Sequence, residues 1–236
     1  MAGTKETMHG KVCLVTGATD GIGKVTARAL VERGAHVIVV GRKQAKLVNN
    51  AGTMLVSRQE TADNLETTFA VNHLGYFLLT NLLLDVLKAS APARVINVSS
   101  DAHVGRELDL EDLQMVQHYL GMEAYGRSKL ANLYFTYELA RRLDGTGVTV
   151  NAVHPGFVGT NIGADNIPLL GKPIKWLINL LAMSPEEGAQ TSIYLATSPE
   201  VAGVTGKYFS TASPFLPHLY LMTKRPLGAC GKSAKN

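Results

Sequence analysis

Two apolar runs, "KVCLVTG" (11–17) and "AHVIVV" (35–40), flank a glycine-rich turn and the stretch "GIGKVTARALVERG". Each run is short and nearly continuous, the pattern of a strand buried on both faces of a sheet. Between them Ile22, Val25, Ala29 and Leu30 recur at helical spacing until Gly34 stops the pattern. Strand, turn, helix, strand is a βαβ unit, and it commits the chain to an α/β fold, a parallel sheet with helices on both sides. The next connection constrains the fold further. Only residues 41–48 separate the second strand from the loop "NNAG" (49–52). A parallel connection needs a dozen or more residues, usually a helix.

Downstream, residues 60–90 read as a long helical region capped near Thr61 or Asp63, and "ARVINVSS" (93–100) as another buried strand. A strong helix occupies 123–143, with Leu130, Leu133, Tyr134, Tyr137 and Leu143 on its apolar face. "GVTVNAVHPG" (147–156) is a strand that ends in a Pro-Gly turn. Residues 184–197 form a helix with Ser184 as N-cap and Pro185 in its first turn, and "GKYF" (206–209) is a last short strand. The 236 residues suit one large domain, expected over 1–209, with a tail over 210–236 that has no regular pattern.

The formal charge of +4 is small and scattered, which excludes nucleic acid as the expected partner. Part of it lies in the tail, at Lys224, Arg225, Lys232 and Lys235, where a solvated, frayed terminus accounts for it. Two cysteines, Cys13 and Cys230, suggest neither a disulfide framework nor a zinc site and fit a reducing compartment. The polar N-terminus shows no signal peptide, and the longest apolar stretches are too short to span a bilayer. A cytoplasmic protein without a transmembrane segment is expected.

"TGATDGIGK" lies between strand and helix. Glycines there let the backbone approach a pyrophosphate, and the helix N-terminus offers free N–H groups and partial positive charge. Gly17, Gly21 and Gly23 are spaced G-x-x-x-G-x-G, with Thr19, Asp20 and Ile22 between them. The segment also approaches a phosphate-binding NTPase loop, but Val25 stands where a Mg²⁺-binding hydroxyl is needed. Asp20 is an awkward neighbour for any anion. At the end of the second strand stand Gly41, Arg42 and Lys43, with no acid to take the ribose hydroxyls of NAD. That favours NADP(H), with NAD(H) possible, unless Arg42 and Lys43 are simply a solvated strand end.

"AYGRSK" places Tyr125 and Lys129 on one helix face. A phenol titrating near pH 10 is a poor acid-base catalyst at neutral pH. An ammonium at roughly 4–5 Å, in an effective dielectric of about 20, would lower its pKa by roughly 2–3 units. Such a tyrosine could hand a proton to a carbonyl oxygen or take one from an alcohol. His73, His103 and His154 suggest a metal only if they converge, and no metal is expected.

The segments "TGATDGIGK", "NNAG", "FAVNHLGYFLLT", "RVINVSS", "YGRSKLAN" and "VHPGFVGT" occur in this order and span residues 10 to about 209. With them the chain resembles the short-chain dehydrogenase/reductase family, and most of all its retinol-dehydrogenase-like branch. The resemblance implies a Rossmann-like fold and hydride transfer between nicotinamide and an alcohol or carbonyl, on an apolar substrate. It implies Tyr125 as proton donor or acceptor, and Lys129 as the residue that tunes it and holds the cofactor ribose. Ser100, rather than Ser99, would bond the substrate oxygen, and Asn72 would hold a water in a proton relay. Asn50, Ala51 and Gly52 would line the cofactor. Pro155, Gly156, Val158 and Thr160 would wrap the nicotinamide, and an apolar lid over 166–183 would cover the pocket. A homodimer through the helices of 60–90 and 123–143 is also implied.

Against that family the chain lacks the usual third strand and most of the fourth, with "KLV" as a stub. Eight extended residues reach up to about 26 Å, ample for the roughly 10 Å between strand ends two spacings apart. The direct route passes the end of the first strand and leaves a central slot open. Alternatively "HVIVV" moves into the slot, which takes Arg42 away from the adenosine. The chain is then either a working enzyme or a non-catalytic remnant with weak or no cofactor binding.

Overall fold

In a computed structural model, residues 7–40, 49–158, 183–210 and 218–220 are described. Strands β1 (Val12–Thr16) and β2 (His36–Val40) pair in parallel, with Val12 opposite His36 and Thr16 opposite Val40. Helix α1 (Gly21–Val31) connects them and buries Ile22, Ala27 and Leu30. A second sheet has the order β3 (Ala93–Val98), β4 (Val148–His154), β5 (Lys207–Ser210), β6 (His218–Tyr220). Its first three strands are parallel, and β6 pairs antiparallel to β5. The tail, expected to be without regular structure, therefore contributes an edge strand; 211–217 and 221–236 lie outside the described residues.

The interrupted connection shows here as an interrupted sheet. Among the described residues no strand lies between β1 and β3. Among the described residues β2 pairs with β1 and not with β3, so "HVIVV" does not fill the central slot. At the carboxyl end of that slot Asn49 and Asn50 do the work of a strand. The Asn49 carbonyl accepts the Val98 N–H at 3.1 Å. Asn50 N–H donates to Thr16 Oγ1 at 2.7 Å and its Nδ2 to the Thr16 carbonyl at 3.0 Å. Two residues thus tie the ends of β1 and β3 across the gap. Elsewhere helices hold the halves together. Helix α6 (Pro185–Thr197) packs on α1 through Ile22, Ala189 and Ile193, and on β3 and β4 through Leu195, Val98 and Val153. Cys13, Val15 and Val37 face α1, whereas Val12 is 66% exposed and Ile38 is exposed on the opposite face. That face of the β1–β2 pair has no covering layer among the described residues.

Residues 60–90 do not form one helix from Thr61 or Asp63. The Thr61 hydroxyl accepts the N–H groups of Asp63 and Leu65, which closes a local turn instead. The cap is Glu66, whose carboxylate accepts from Thr68 and Phe69 N–H and is bonded by the Tyr119 hydroxyl. From there run α2 (Thr67–Phe69), a π-helical turn (Ala70–Leu74), α3 (Gly75–Leu82) and, after a break at Leu83, α4 (Leu84–Ala89). Helix α5 (Gly121–Arg142) lies on one face of the second sheet, with Phe135, Leu139 and Leu143 against Val95, Val148 and Val150. Each such side chain, fully buried, contributes about 1.5–3 kcal/mol. On the other sheet face α6 starts as expected, with Ser184 and Glu187 in a reciprocal capping box.

Candidate active site

The glycine-rich turn is built by close approach. Gly17 (φ +64°) and Gly21 (φ +55°) take left-handed backbone conformations. A Cβ on Gly17 would meet Ala51 Cα at 2.8 Å, and one on Gly23 would meet Asn50 Nδ2 at 2.5 Å and the Gly17 carbonyl oxygen at 2.6 Å. The turn is therefore docked against the "NNAG" loop, whose Asn50 and Ala51 N–H groups share Thr16 Oγ1. Asp20 caps α1 by accepting the Gly21 N–H at 2.8 Å. Thr19 and Asp20 are exposed, whereas the Ile22 side chain belongs to the core.

Around Tyr125 and Lys129 several segments converge. Lys129, 2% exposed on α5, donates from Nζ to the Val98 carbonyl at 3.0 Å. Nζ lies 5.5 Å from the ring centroid of Tyr125, one turn earlier, and 5.8 Å from that of Tyr76 on α3. The partly buried Ser100 meets the Tyr125 hydroxyl, a hydrogen bond that lowers the phenol's pKa, and its Oγ also accepts the Ala102 N–H. Ser99 faces the other way and donates to the Lys129 carbonyl at 2.8 Å. Strand alternation thus sends Ser100 to the tyrosine and Ser99 into the scaffold. Ser99→Ala should lower the melting temperature and leave rate per folded molecule intact, while Ser100→Ala should do the reverse. A stability curve and a turnover number for each variant check this.

One expectation is corrected. Lys129 does not pull the Tyr125 phenol down in the unliganded protein. Burial raises Tyr125 above its usual value, and burial lowers Lys129 to about 7. The cause is geometric: Nζ is anchored to a backbone carbonyl and addresses the tyrosine's ring, while both groups have lost water.

Asn72 sits in the π-helical turn, a distortion that recurs at functional sites. Its side chain is tied to Thr53 N–H and carbonyl and to Ser128 Oγ, and its own carbonyl accepts Asn132 Nδ2 at 2.9 Å. A Cβ on Gly52 would sit 3.5 Å from Asn72 Oδ1 and 3.6 Å from Lys129 Nζ, so this glycine keeps the space beside both atoms open. Pro155 is buried, Gly156 has φ +88°, and Val158 bridges to Met183. Arg42, Thr160 and all but the last residue of the 166–183 lid lie outside the described residues.

Several site residues escape sequence reasoning. Asn49, Asn97, Asn132 and Thr136 are buried and linked: Asn49 Nδ2 donates to Asn97 Oδ1 at 3.0 Å, Asn97 Nδ2 to Thr136 Oγ1 at 2.9 Å, and Thr136 Oγ1 to the Asn132 carbonyl at 2.7 Å. The available signal was an asparagine inside the apolar run "RVINVSS". Gly188 is another, since a Cβ there would meet Val158 Cγ2 at 2.4 Å, so α6 packs tightly on the 155–158 loop. His73 is bonded to Asn132 and His103 to the Ser100 carbonyl, and His154 Nε2 lies 3.4 Å from Asp101 Oδ2. Among the described residues no group of side chains could hold a metal ion.

A Rossmann-type half with a glycine-cradled turn, joined to a Ser–Tyr–Lys centre, defines a dinucleotide-dependent oxidoreductase. The short chain dehydrogenase family matches this sequence over residues 11–47 and 45–168, and the chain belongs to that family. Retinol dehydrogenase 14 of Mus musculus is 42% identical over 260 aligned positions, covering 86% of this chain and 78% of that protein. Retinol dehydrogenase 13 of Homo sapiens is 42% identical over 261 positions, covering 87% and 78%. Among solved structures, an uncharacterized protein from Mycobacterium paratuberculosis matches with TM-score 0.68 and 31% identity, covering 87% of this chain and 82% of that one. RhlG of Pseudomonas aeruginosa, in complex with NADP, matches with TM-score 0.68 and 25% identity, covering 87% and 96%. Both alignments to retinol dehydrogenases are longer than this 236-residue chain, so those proteins hold positions that it lacks. The family match itself falls into two segments, which overlap at 45–47.

Proposed function

We propose that this chain is an NADP(H)-dependent oxidoreductase acting on an apolar alcohol or carbonyl. The observation that supports the reading is the clamp of Asn49 and Asn50, which ties the glycine-rich turn after β1 to the end of β3, beside Ser100, Tyr125 and Lys129, although no described strand lies between β1 and β3. The residues fit a nicotinamide dinucleotide: the Gly17–Gly23 cradle admits backbone approach, and Lys129 and Asn50 border the open space beside Gly52. A bound nicotinamide supplies or accepts the hydride. Tyr125 gives its proton to the carbonyl oxygen, or takes one from the hydroxyl, while Ser100 donates a hydrogen bond to the same oxygen. Lys129 holds positive charge beside the phenol. Burial holds the Tyr125 phenol above its usual value, so at neutral pH it carries the proton that the reduction direction consumes.

NADP(H) is supported by Arg42 and Lys43 without a nearby acid and by β2 keeping its place beside β1. The bound NADP of RhlG and the names of the retinol dehydrogenases agree with this cofactor and with an apolar substrate. Exposed Phe77, Leu78, Leu82 and Val86 on α3 and α4, and Tyr134 on α5, support a homodimer through those helices. No described helix is long and apolar enough to cross a membrane. A cytoplasmic site of action is part of the proposal and rests on the sparse cysteines. Initial rates of NADPH and NADH oxidation on aldehydes of increasing chain length test the reading. Rates should rise with chain length and favour NADPH; equal use of both cofactors would overturn the cofactor assignment, and preference for short polar aldehydes the substrate class.

A further inference from the structure

Tyr76 enters the active site from α3 and takes no part in the proton transfer assigned to Tyr125. It is 2% exposed, and its hydroxyl has no hydrogen-bond partner. Its ring centroid lies 5.8 Å from Lys129 Nζ, with the Tyr125 ring at 5.5 Å. The one polar atom bonded to Nζ is the neutral Val98 carbonyl, and no carboxylate pairs with Lys129 among the described residues. The titratable groups placed beside Nζ among the described residues are Tyr125 on its own helix and Tyr76 on α3. Neither carries negative charge at neutral pH.

We propose that Tyr76 is a positioning residue of the proton-transfer site: its ring and that of Tyr125 form an aromatic clamp that holds the Lys129 ammonium in place and favours its charged form. A buried ammonium with one neutral acceptor has lost most of its hydration, and the negative faces of two rings are the partners that remain. Burial already brings Lys129 to about 7, so its charge is balanced near neutral pH and responds to the loss of one face. The ring does this, and the unpartnered hydroxyl does not. The catalytic meaning of the clamp rests on the proposed roles of Lys129 and Tyr125 in proton transfer; the clamp itself does not.

The test is direct titration of Lys129 by NMR in the full chain labelled with ¹³Cε-lysine, its signal assigned by loss in Lys129→Arg. Tyr76→Phe should leave the midpoint unchanged. Tyr76→Leu and Tyr76→Met should lower it by about one pH unit. The clamp is overturned if Tyr76→Phe shifts the midpoint as far as the aliphatic variants, or if those variants leave it unmoved. Should the aliphatic variants fail to fold, pentafluorophenylalanine at position 76, which keeps the ring's shape and reverses its quadrupole, takes their place: the midpoint should fall, and an unmoved midpoint overturns the clamp. The pH profile of aldehyde reduction is the second readout, and its alkaline limb should move with the Lys129 midpoint. A moved midpoint with an unmoved limb supports the clamp and contradicts Lys129 as the residue that tunes Tyr125.

Discussion

Tyr125→Phe is expected to lower turnover by about 10²–10⁴-fold, the range that a positioned general acid contributes, while the chain stays folded and keeps its cofactor affinity. The contacts separate the two effects. The Tyr125 hydroxyl meets the side chain of Ser100, so its removal leaves no buried charge unpaired. The ring remains over Lys129, and the phosphate turn, built from Gly17, Gly23, Asn50 and Ala51, is untouched. Turnover and cofactor titration on the same preparation decide the matter. A variant that retains its rate would remove Tyr125 from the chemistry, and one that loses cofactor affinity with its rate would make the residue a binding group.

Stability of the unliganded protein should rise by about 2 kcal/mol between pH 7 and pH 9, and Lys129→Met should flatten that rise. The folded-state pKa of Lys129, about 7, lies below its ordinary value of 10.5. Below pH 7 the ammonium is present in both states and its burial weighs against folding. Above pH 7 the folded chain has released the proton and the unfolded chain still binds it, so stability climbs. The window closes near pH 9, where Cys13, raised by burial from 9.0, begins to act in the opposite sense. His73 and His154, both lowered from 6.5, have finished titrating below it. Urea unfolding across the window gives the slope, and a flat profile in the parent chain would show that Lys129 is not buried as described.

What the sequence made legible was local or carried by motif. Apolar runs and a stop glycine marked β1, α1 and β2, and Ser184 with Pro185 marked the start of α6, because each signal lies within a few residues of the element it shapes. Ser100, Tyr125, Lys129 and Asn72 came from the ordered family segments. The missed features depend on partners far along the chain. Thr61, Asp63 and Glu66 all have capping chemistry, and Glu66 prevails because Tyr119 meets its carboxylate. The dual attachment of Asn49 and Asn50 to β1 and β3 could not be read from "NNAG", since those strands lie 33 and more residues away on either side. The charge state of Lys129 was misjudged for the same reason. Spacing gives the distance along a helix, but desolvation is set by groups such as Tyr76 and Val98 on other segments.

The central claim is that the dinucleotide site is intact although no described strand lies between β1 and β3. Thermal unfolding of the purified chain, alone and with saturating NADPH or NADH, tests it most directly. The account predicts one cooperative transition, raised by NADPH more than by NADH, because a ligand of the native state stabilises it in proportion to its affinity. No shift with either cofactor, or no cooperative transition, would mean that the missing segment took the site with it and that the chain is a non-catalytic remnant.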